Sequence, residues 1–212
     1  CFVFLNYARS DENADNVKKE LDERYSGRFD IIKSDLSSEE NVDMLTEYVK
    51  VKAKKIDYIV LNLGITRRGD FSTITREDWS RVIDVNLSMP FFLLQNFNEL
   101  IRENGRILFI GSVLGIYPHS VSIPYGVTKA AIHFLVQTLV KSFASRLITV
   151  NAIAPGFVHT DWHISKSKEL RKSIESKIAL KRFADPSEIA AMCISVINNG
   201  YINGSVIKVD GG

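Results

Sequence analysis

Cysteine is almost missing from this chain: Cys1 and Cys193 are the only two in 212 residues. Two thiols so far apart make no disulfide framework, which excludes the small cross-linked secreted scaffolds and is what a reducing cytoplasm allows. Long apolar runs are missing too. The longest, such as 57–65, fall far short of the roughly 20 residues a membrane span needs, and no signal peptide is visible. Nor is there an excess of one charge. Twenty-seven basic and 25 acidic side chains leave a net charge of +2 with both signs interspersed, which argues against a nucleic-acid or anionic-membrane partner. Repeats, low-complexity stretches and linkers are likewise absent. What remains, 45% hydrophobic and 25% charged residues, is the usage of one soluble globular domain, taken here as 1–212.

Short β-branched runs alternate with longer segments of helical period, the signature of βαβ units and a parallel sheet. Strands are expected near 2–6, 29–34, 57–62, 105–111, 147–152 and 206–209. Between them, Asp11–Tyr25 sets Ala14, Val17, Leu21 and Tyr25 on one helical face, and 38–53 opens with a capping sequence at Ser38. Thr75-Arg-Glu-Asp78 reads as a capping box before a long helix reaching about 103, and 122–145 reads as another long helix. Within the first of these, Pro90 removes an N–H and crowds the carbonyl of Asn86, so a kink or a helix boundary is expected there.

Tyr125 and Lys129 carry the chemistry. Four residues apart on a helix, they stand on one face with side chains adjacent. An ammonium beside a phenol favours the phenolate, so Lys129 is expected to lower the Tyr125 pKa and make the hydroxyl a general acid or base. Tyr-x-x-x-Lys alone is common on helices. Here Ser112 lies 13 residues upstream, at the end of the apolar strand run 106–111, where its hydroxyl is placed at a strand terminus.

Ser112, Tyr125 and Lys129, followed by Asn151-Ala-Ile-Ala-Pro-Gly156 and closing on Val209-Asp-Gly-Gly212, resemble the short-chain dehydrogenase/reductase family. Asp35, Asn62-Leu-Gly64, Asp84-Val-Asn86, Thr160, Leu180-x-Arg-Phe183 and Pro186-x-Glu-Ile189 arrive in the family's order, and the resemblance covers essentially the whole chain. Within the family the chain looks most like the β-ketoacyl-[acyl-carrier-protein] reductases of fatty acid biosynthesis. The resemblance implies an α/β fold: a Rossmann-type, doubly wound parallel sheet in three αβα layers. It also implies that Tyr125 protonates a substrate carbonyl as hydride arrives from a nicotinamide. Lys129 would bind the nicotinamide ribose, Ser112 would hold the carbonyl oxygen, and Asn86 would complete a water-mediated proton path through Lys129.

The family begins with a strand and a Gly-rich turn that cradles the cofactor pyrophosphate. Cys1-Phe-Val-Phe-Leu-Asn6 instead resembles the family's second strand, and no Met initiates the chain. The expectation is a chain that is N-terminally incomplete; the alternative is a protein of this fold that has lost cofactor binding.

Cofactor preference is read after that strand, where an acidic residue would take a ribose 2′-OH and an Arg a 2′-phosphate. Arg9 and Ser10 stand there, so NADP(H) is expected, with Asp35 receiving the adenine amino group or, alternatively, capping the helix after Leu36. Asn62 and Gly64 would approach the adenosine, Leu63 replacing the family's usual Ala. Pro155, Gly156, Val158 and Thr160 would line the nicotinamide, and Phe157 and Trp162 would contact or close over substrate. His159-Thr-Asp-Trp-His163 offers two imidazoles and a carboxylate but no third ligand type nearby, so no metal is expected. The resemblance further implies 3-oxoacyl substrate on acyl-carrier protein, docked near Arg146 and Arg102, and a homo-oligomer, a tetramer in the family. Alternatives are a reductase of another small ketone or alcohol, such as a sugar or steroid, and a non-catalytic binding protein of the same fold.

Overall fold

The computed structural model describes residues 1–160, 162 and 166–212, and of Val121 the backbone alone. In chain order the elements are β1 (Val3–Tyr7), α1 (Asp11–Tyr25), β2 (Phe29–Lys33), α2 (Glu39–Lys52), β3 (Ile56–Leu61), α3 (Arg76–Ile83), α4 (Met89–Phe97), β4 (Ile101–Ile110), α5 (Ile123–Phe143), β5 (Thr149–Pro155), α6 (Lys168–Glu175), α7 (Pro186–Asn198) and β6 (Val206–Val209). They form two compact units, Cys1–Lys55 with Ser88–Leu100, and Ile56–Leu87 with Ile101–Gly212.

In the first unit β1 and β2 pair in parallel, with Leu5 opposite Ile31. The apolar face expected of α1 is only partly covered, since Val17 and Tyr25 are exposed. Helix α2 starts where Ser38 accepts the Asn41 N–H. It buries Val42, Leu45, Thr46 and Val49 at helical spacing. Helix α4 packs on α2, and Asn96 on α4 donates to Asp43 and Thr46 on α2.

The second unit is a four-stranded parallel sheet in the order β3-β4-β5-β6. Val60 pairs with Leu108, Leu108 with Asn151 and Ile153 with Ile207. Strands covered on both faces read as continuous apolar runs, and β5 is buried from Thr149 to Ala154. Leu108, Ile110 and Ile153 pack under Ile189, Met192, Cys193 and Val196 of α7. The opposite face is covered by α5, because the missing Cβ of Gly111, one step out of phase with Ile110, points at His133 of α5. Helix α3 packs in turn on α5. The capping box at Thr75 forms in both directions with Asp78, and a second closes α7 between Asp185 and Glu188.

The long helix expected over 75–103 is not continuous. Helix α3 ends at Ile83, a π-helical turn follows over Asp84–Ser88, and α4 begins at Met89 with Pro90 in its first turn. Asp84 and Ser88 both keep right-handed helical backbone, so the chain stays helical through a π-bulge just before Pro90, whose missing N–H cannot serve the carbonyl of Asn86. Strand β4 also begins earlier than position 105: Ile101 already pairs with Ile56, and a bulge then skips to Arg106 opposite Tyr58. Asn104 takes a left-handed φ of 59° in that bulge.

Ile153 is fully buried at the centre of the second unit, between β4 and β6. Ile153→Ala is expected to destabilise the protein by about 2–5 kcal/mol through lost burial and a residual cavity. Chemical denaturation checks this, with an unchanged midpoint as the contrary result.

Candidate active site

The second unit brings Asn86, Ser112, Tyr125 and Lys129 together at the ends of β3 and β4. Ser112 lies two residues past β4, where its hydroxyl accepts the Leu114 N–H and opens a short 3-10 turn. Tyr125 and Lys129 lie on the first two turns of α5, with the Lys129 Nζ 5.5 Å from the Tyr125 ring centre. Only 3% of Lys129 is exposed. Its ammonium donates to the carbonyl of Ile110, the last residue of β4, at 2.7 Å, and to that of Leu63 beyond β3 at 3.4 Å. Burial of this cation lowers its pKa to about 8.

Tyr125 departs from expectation. Burial pushes its hydroxyl above the ordinary phenol value, and a hydrogen bond with Ser112 pulls it part of the way back. Lys129 does not lower it, because the ammonium is spent on two main-chain carbonyls. The phenol is therefore fully protonated at neutral pH.

Asn86 is completely buried. Its Oδ1 accepts the Ile65 N–H at 2.8 Å, and its Nδ2 donates to the Ile65 carbonyl at 2.9 Å and to the Thr128 hydroxyl at 3.0 Å. Thr128 passes its own proton to the Tyr125 carbonyl. Both donors of the Asn86 amide are thus engaged, as is its oxygen, so the side chain clamps the 63–65 loop to α5. Its main chain lies in the π-helical turn Asp84–Ser88.

Of the residues expected to hold cofactor, Gly64 turns its open side toward this cluster. A Cβ built there would stand 3.7 Å from Lys129 Nζ, 3.8 Å from Trp162 and 4.0 Å from Asn86 Oδ1. Gly64 thus lies in van der Waals range of Lys129, Asn86 and Trp162, so it borders this cluster as well as the position expected to approach the adenosine. Asn62 is exposed just past β3. Pro155 ends β5, and Gly156 is pressed onto Asp210, where a Cβ would come within 2.8 Å of the Asp210 Cβ. Val158 forms a bridge with Ala184, and Thr160 is exposed. Trp162 does lie against Tyr125, ring centres 5.9 Å apart. Phe157 stacks on Phe183, ring centres 5.2 Å apart. Asp161 and His163 lie outside the described residues, and among the described residues no three His, Cys, Asp or Glu side chains group as a metal ion requires.

In the first unit Arg9 and Asp35 pair with one another, Nε and Nη2 donating to Oδ2 at 3.0 and 2.8 Å. The guanidinium holds the Asp35 carboxyl below the usual carboxylate range. Asp35 does not cap α2, since Ser38 does. Ser10 occupies the N-cap position of α1 without a side-chain cap bond. Arg9 stays 69% exposed and open to an anion.

Two neighbours escaped the sequence reading. Thr128 sits inside the Tyr125–Lys129 turn, and His133 continues the i, i+4 stripe one turn further, which is the signal that would have found it. His133 accepts the Ser112 N–H on Nε2 at 3.4 Å.

The depressed Lys129 pKa makes a stability prediction. Between pH of about 8 and 10.5 the unfolded chain keeps a proton that the folded protein has released, so unfolding takes up a proton and stability rises with pH across that window. Relative to Lys129→Met, the wild-type protein should gain on the order of 3 kcal/mol over it. Paired denaturation curves at both ends of the window test this, and a constant difference would refute the burial assigned to Lys129.

The family model described as Enoyl-(Acyl carrier protein) reductase matches residues 1–212. The 3-oxoacyl-[acyl-carrier-protein] reductase FabG of Aquifex aeolicus is 34% identical over 207 residues, 96% of this chain and 84% of that protein. Among solved structures, a short-chain dehydrogenase/reductase from Serratia marcescens superposes with a TM-score of 0.92 at 25% identity, covering all of this chain and 86% of its own. The Pseudomonas aeruginosa RhlG/NADP active-site complex superposes with a TM-score of 0.88 at 27% identity, covering 99% of this chain and 85% of its own. No helix among the described residues is long and apolar enough to cross a membrane. With a strand-end serine, a buried Tyr-Lys turn and a parallel sheet under them, the chain belongs to the short-chain dehydrogenase/reductase family of oxidoreductases.

Proposed function

We propose that the protein is an NADPH-dependent reductase that converts a 3-oxoacyl thioester carried on acyl-carrier protein to the 3-hydroxyacyl thioester. The observation that carries the reaction type is the convergence of Ser112, a protonated Tyr125 and a buried Lys129. The substrate class rests on the relatives, of which the Aquifex aeolicus protein is one.

In the reductive direction a bound NADPH would supply the hydride for the carbonyl carbon of the substrate. Tyr125 holds the proton that the carbonyl oxygen takes up, and its raised pKa keeps that proton in place until an alkoxide, far more basic than a phenolate, develops. Ser112 donates to the same oxygen, a contact that strengthens as negative charge builds. Lys129, with a pKa near 8, exchanges its proton close to neutral pH and so can restore the one Tyr125 gives up. The Asn86 main-chain carbonyl would anchor the water that links Lys129 to solvent. Gly64, with Lys129, would receive the nicotinamide ribose, and Pro155, Gly156, Val158 and Thr160 would line the ring. Arg9 and Ser10 would take the 2′-phosphate and Asp35 the adenine, and Asn62 would approach the adenosine. A homotetramer and carrier-protein docking complete the proposal. Arg146 is less free for docking than an ordinary surface arginine, because it donates to the Ile101 carbonyl and lies 5.5 Å over Phe143.

Oxidation of NADPH with an acetoacetyl thioester tests the reaction, and Tyr125→Phe should lose at least about 100-fold in kcat. A protein that binds NADPH yet shows no turnover with this or other ketones would favour the non-catalytic reading. Arg9→Glu tests the cofactor. It should raise KM for NADPH about tenfold or more while leaving NADH little changed, because a carboxylate repels a 2′-phosphate and accepts from a 2′-hydroxyl. Equal loss with both cofactors would remove Arg9 from that role.

A further inference from the structure

Among the described residues, His133 is a titratable side chain packed against the catalytic cluster that the reaction above leaves unused. Only 8% of it is exposed. Its ring fills a slot that two glycines leave open. A Cβ at Gly111 would come within 2.3 Å of Nε2, and one at Gly115 within 2.8 Å of Cε1. Neither could bear a side chain without displacing the imidazole. Within that slot Nε2 accepts the main-chain N–H of Ser112, so the neutral ring carries its proton on Nδ1.

We propose that His133 is a positioning residue for the reaction: its neutral imidazole holds the Ser112 main chain, and with it the hydroxyl aimed at the substrate oxygen, and protonation of the ring releases Ser112. The inference rests on the proposed reductase chemistry for its kinetic consequence, but the Ser112–His133 contact stands apart from it. An imidazolium has no lone pair for the Ser112 N–H, so two donors would face each other at 3.4 Å. It would also set a second cation one helical turn from Lys129.

The surroundings set the direction of titration. Burial and then the Lys129 charge push the imidazole below its ordinary value, and a hydrogen bond with the Gly115 main chain opposes them. The 111–115 segment offers no acid or base, and neither does β5. Helix α3, which also packs on α5, carries Arg76, Glu77, Asp78 and Arg81, and none of these acts on the ring. The neutral, Ser112-holding form is therefore the one favoured at neutral pH, and the contact is lost on the acid side of the ordinary imidazole titration.

The test compares wild type, His133→Gln and His133→Leu. Glutamine can still accept the Ser112 N–H but cannot titrate, and leucine can do neither. For wild type, kcat is expected to fall on an acid limb below about pH 6.5, and that limb should be missing in His133→Gln. At pH 7.5 His133→Leu should lose about tenfold in kcat with KM for NADPH within about twofold, and His133→Gln should recover most of that loss. One shared acid limb and equal kcat in all three proteins would overturn the proposal. Nuclear magnetic resonance provides a readout that needs no turnover. In wild type the Ser112 amide shift should follow the imidazole titration, and in His133→Gln it should not. If no thioester is turned over, or if the leucine variant fails to fold, this comparison still decides: a Ser112 amide indifferent to His133 protonation refutes the contact whatever the reaction is.

Discussion

An ammonium almost sealed from water must find acceptors, and much of the second unit is arranged around that need at Lys129. Free carbonyls inside a parallel α/β sheet occur where the ladder runs out, at the carboxyl ends of strands. Lys129 reaches two of them, Ile110 at the end of β4 and Leu63 beyond β3. Helix α5 is thereby held with its first turns over the strand ends. Such close approach needs room, and Gly115 supplies it: a Cβ there would lie 2.6 Å from the main chain of Lys129 itself. Once α5 is seated, Tyr125 one turn earlier falls into hydrogen-bonding reach of Ser112. Asn86 completes the arrangement by tying the loop that carries Leu63 and Gly64 back to Thr128 on the same helix.

The same burial orders the protonation of the pair. In water a tyrosine loses its proton slightly before a lysine. Here burial lowers the lysine to about 8 and raises the tyrosine, so the order is inverted. Desolvation acts on each group with the sign its charged form dictates, and it outweighs their mutual attraction because the ammonium is directed at carbonyls rather than at the phenol oxygen. A protonated phenol beside a lysine that exchanges near neutral pH suits a proton donor better than a proton acceptor.

Much of this was legible in the residues because it depends on local spacing. Tyr125 and Lys129 are one turn apart, Thr75 and Asp78 are capping distance apart, and the alternation of apolar runs sets the parallel sheet. The misreadings arise where distant parts of the chain decide. The apolar period continues through Pro90, so the segment after Thr75 reads as one helix, and nothing in a 3.6-residue repeat reports a π-helical turn at Asp84–Ser88. Ile101 looks like the end of that helix until its pairing with Ile56 is seen. The direction of the Tyr125 shift was missed because adjacency on a helix says nothing of where an ammonium points. The slot around His133 could not be read from the sequence, since the glycines that make it are 18 and 22 positions away.

Arg9 and Asp35 illustrate how a pairing invisible in sequence can reconcile two assignments. They lie 26 residues apart, and each was read separately as a cofactor contact. An exposed ion pair of this kind contributes about 0–1 kcal/mol to stability, so it does little for the fold. What it does is fix direction: a flexible guanidinium held on one edge by a carboxylate keeps fewer rotamers and presents its remaining donors from a defined place. Because the pair is weak, a phosphate of the proposed cofactor would displace little in recruiting the arginine. Because the carboxylate stays ionised beside it, the local charge is near zero before the phosphate arrives, which disfavours nonspecific anions more than a ligand that can also satisfy Asp35 with a hydrogen-bond donor. Under the proposed function, an adenosine 2′-phosphate would bring both groups, an anion for Arg9 and an amino donor for Asp35, whereas free phosphate would bring only the first.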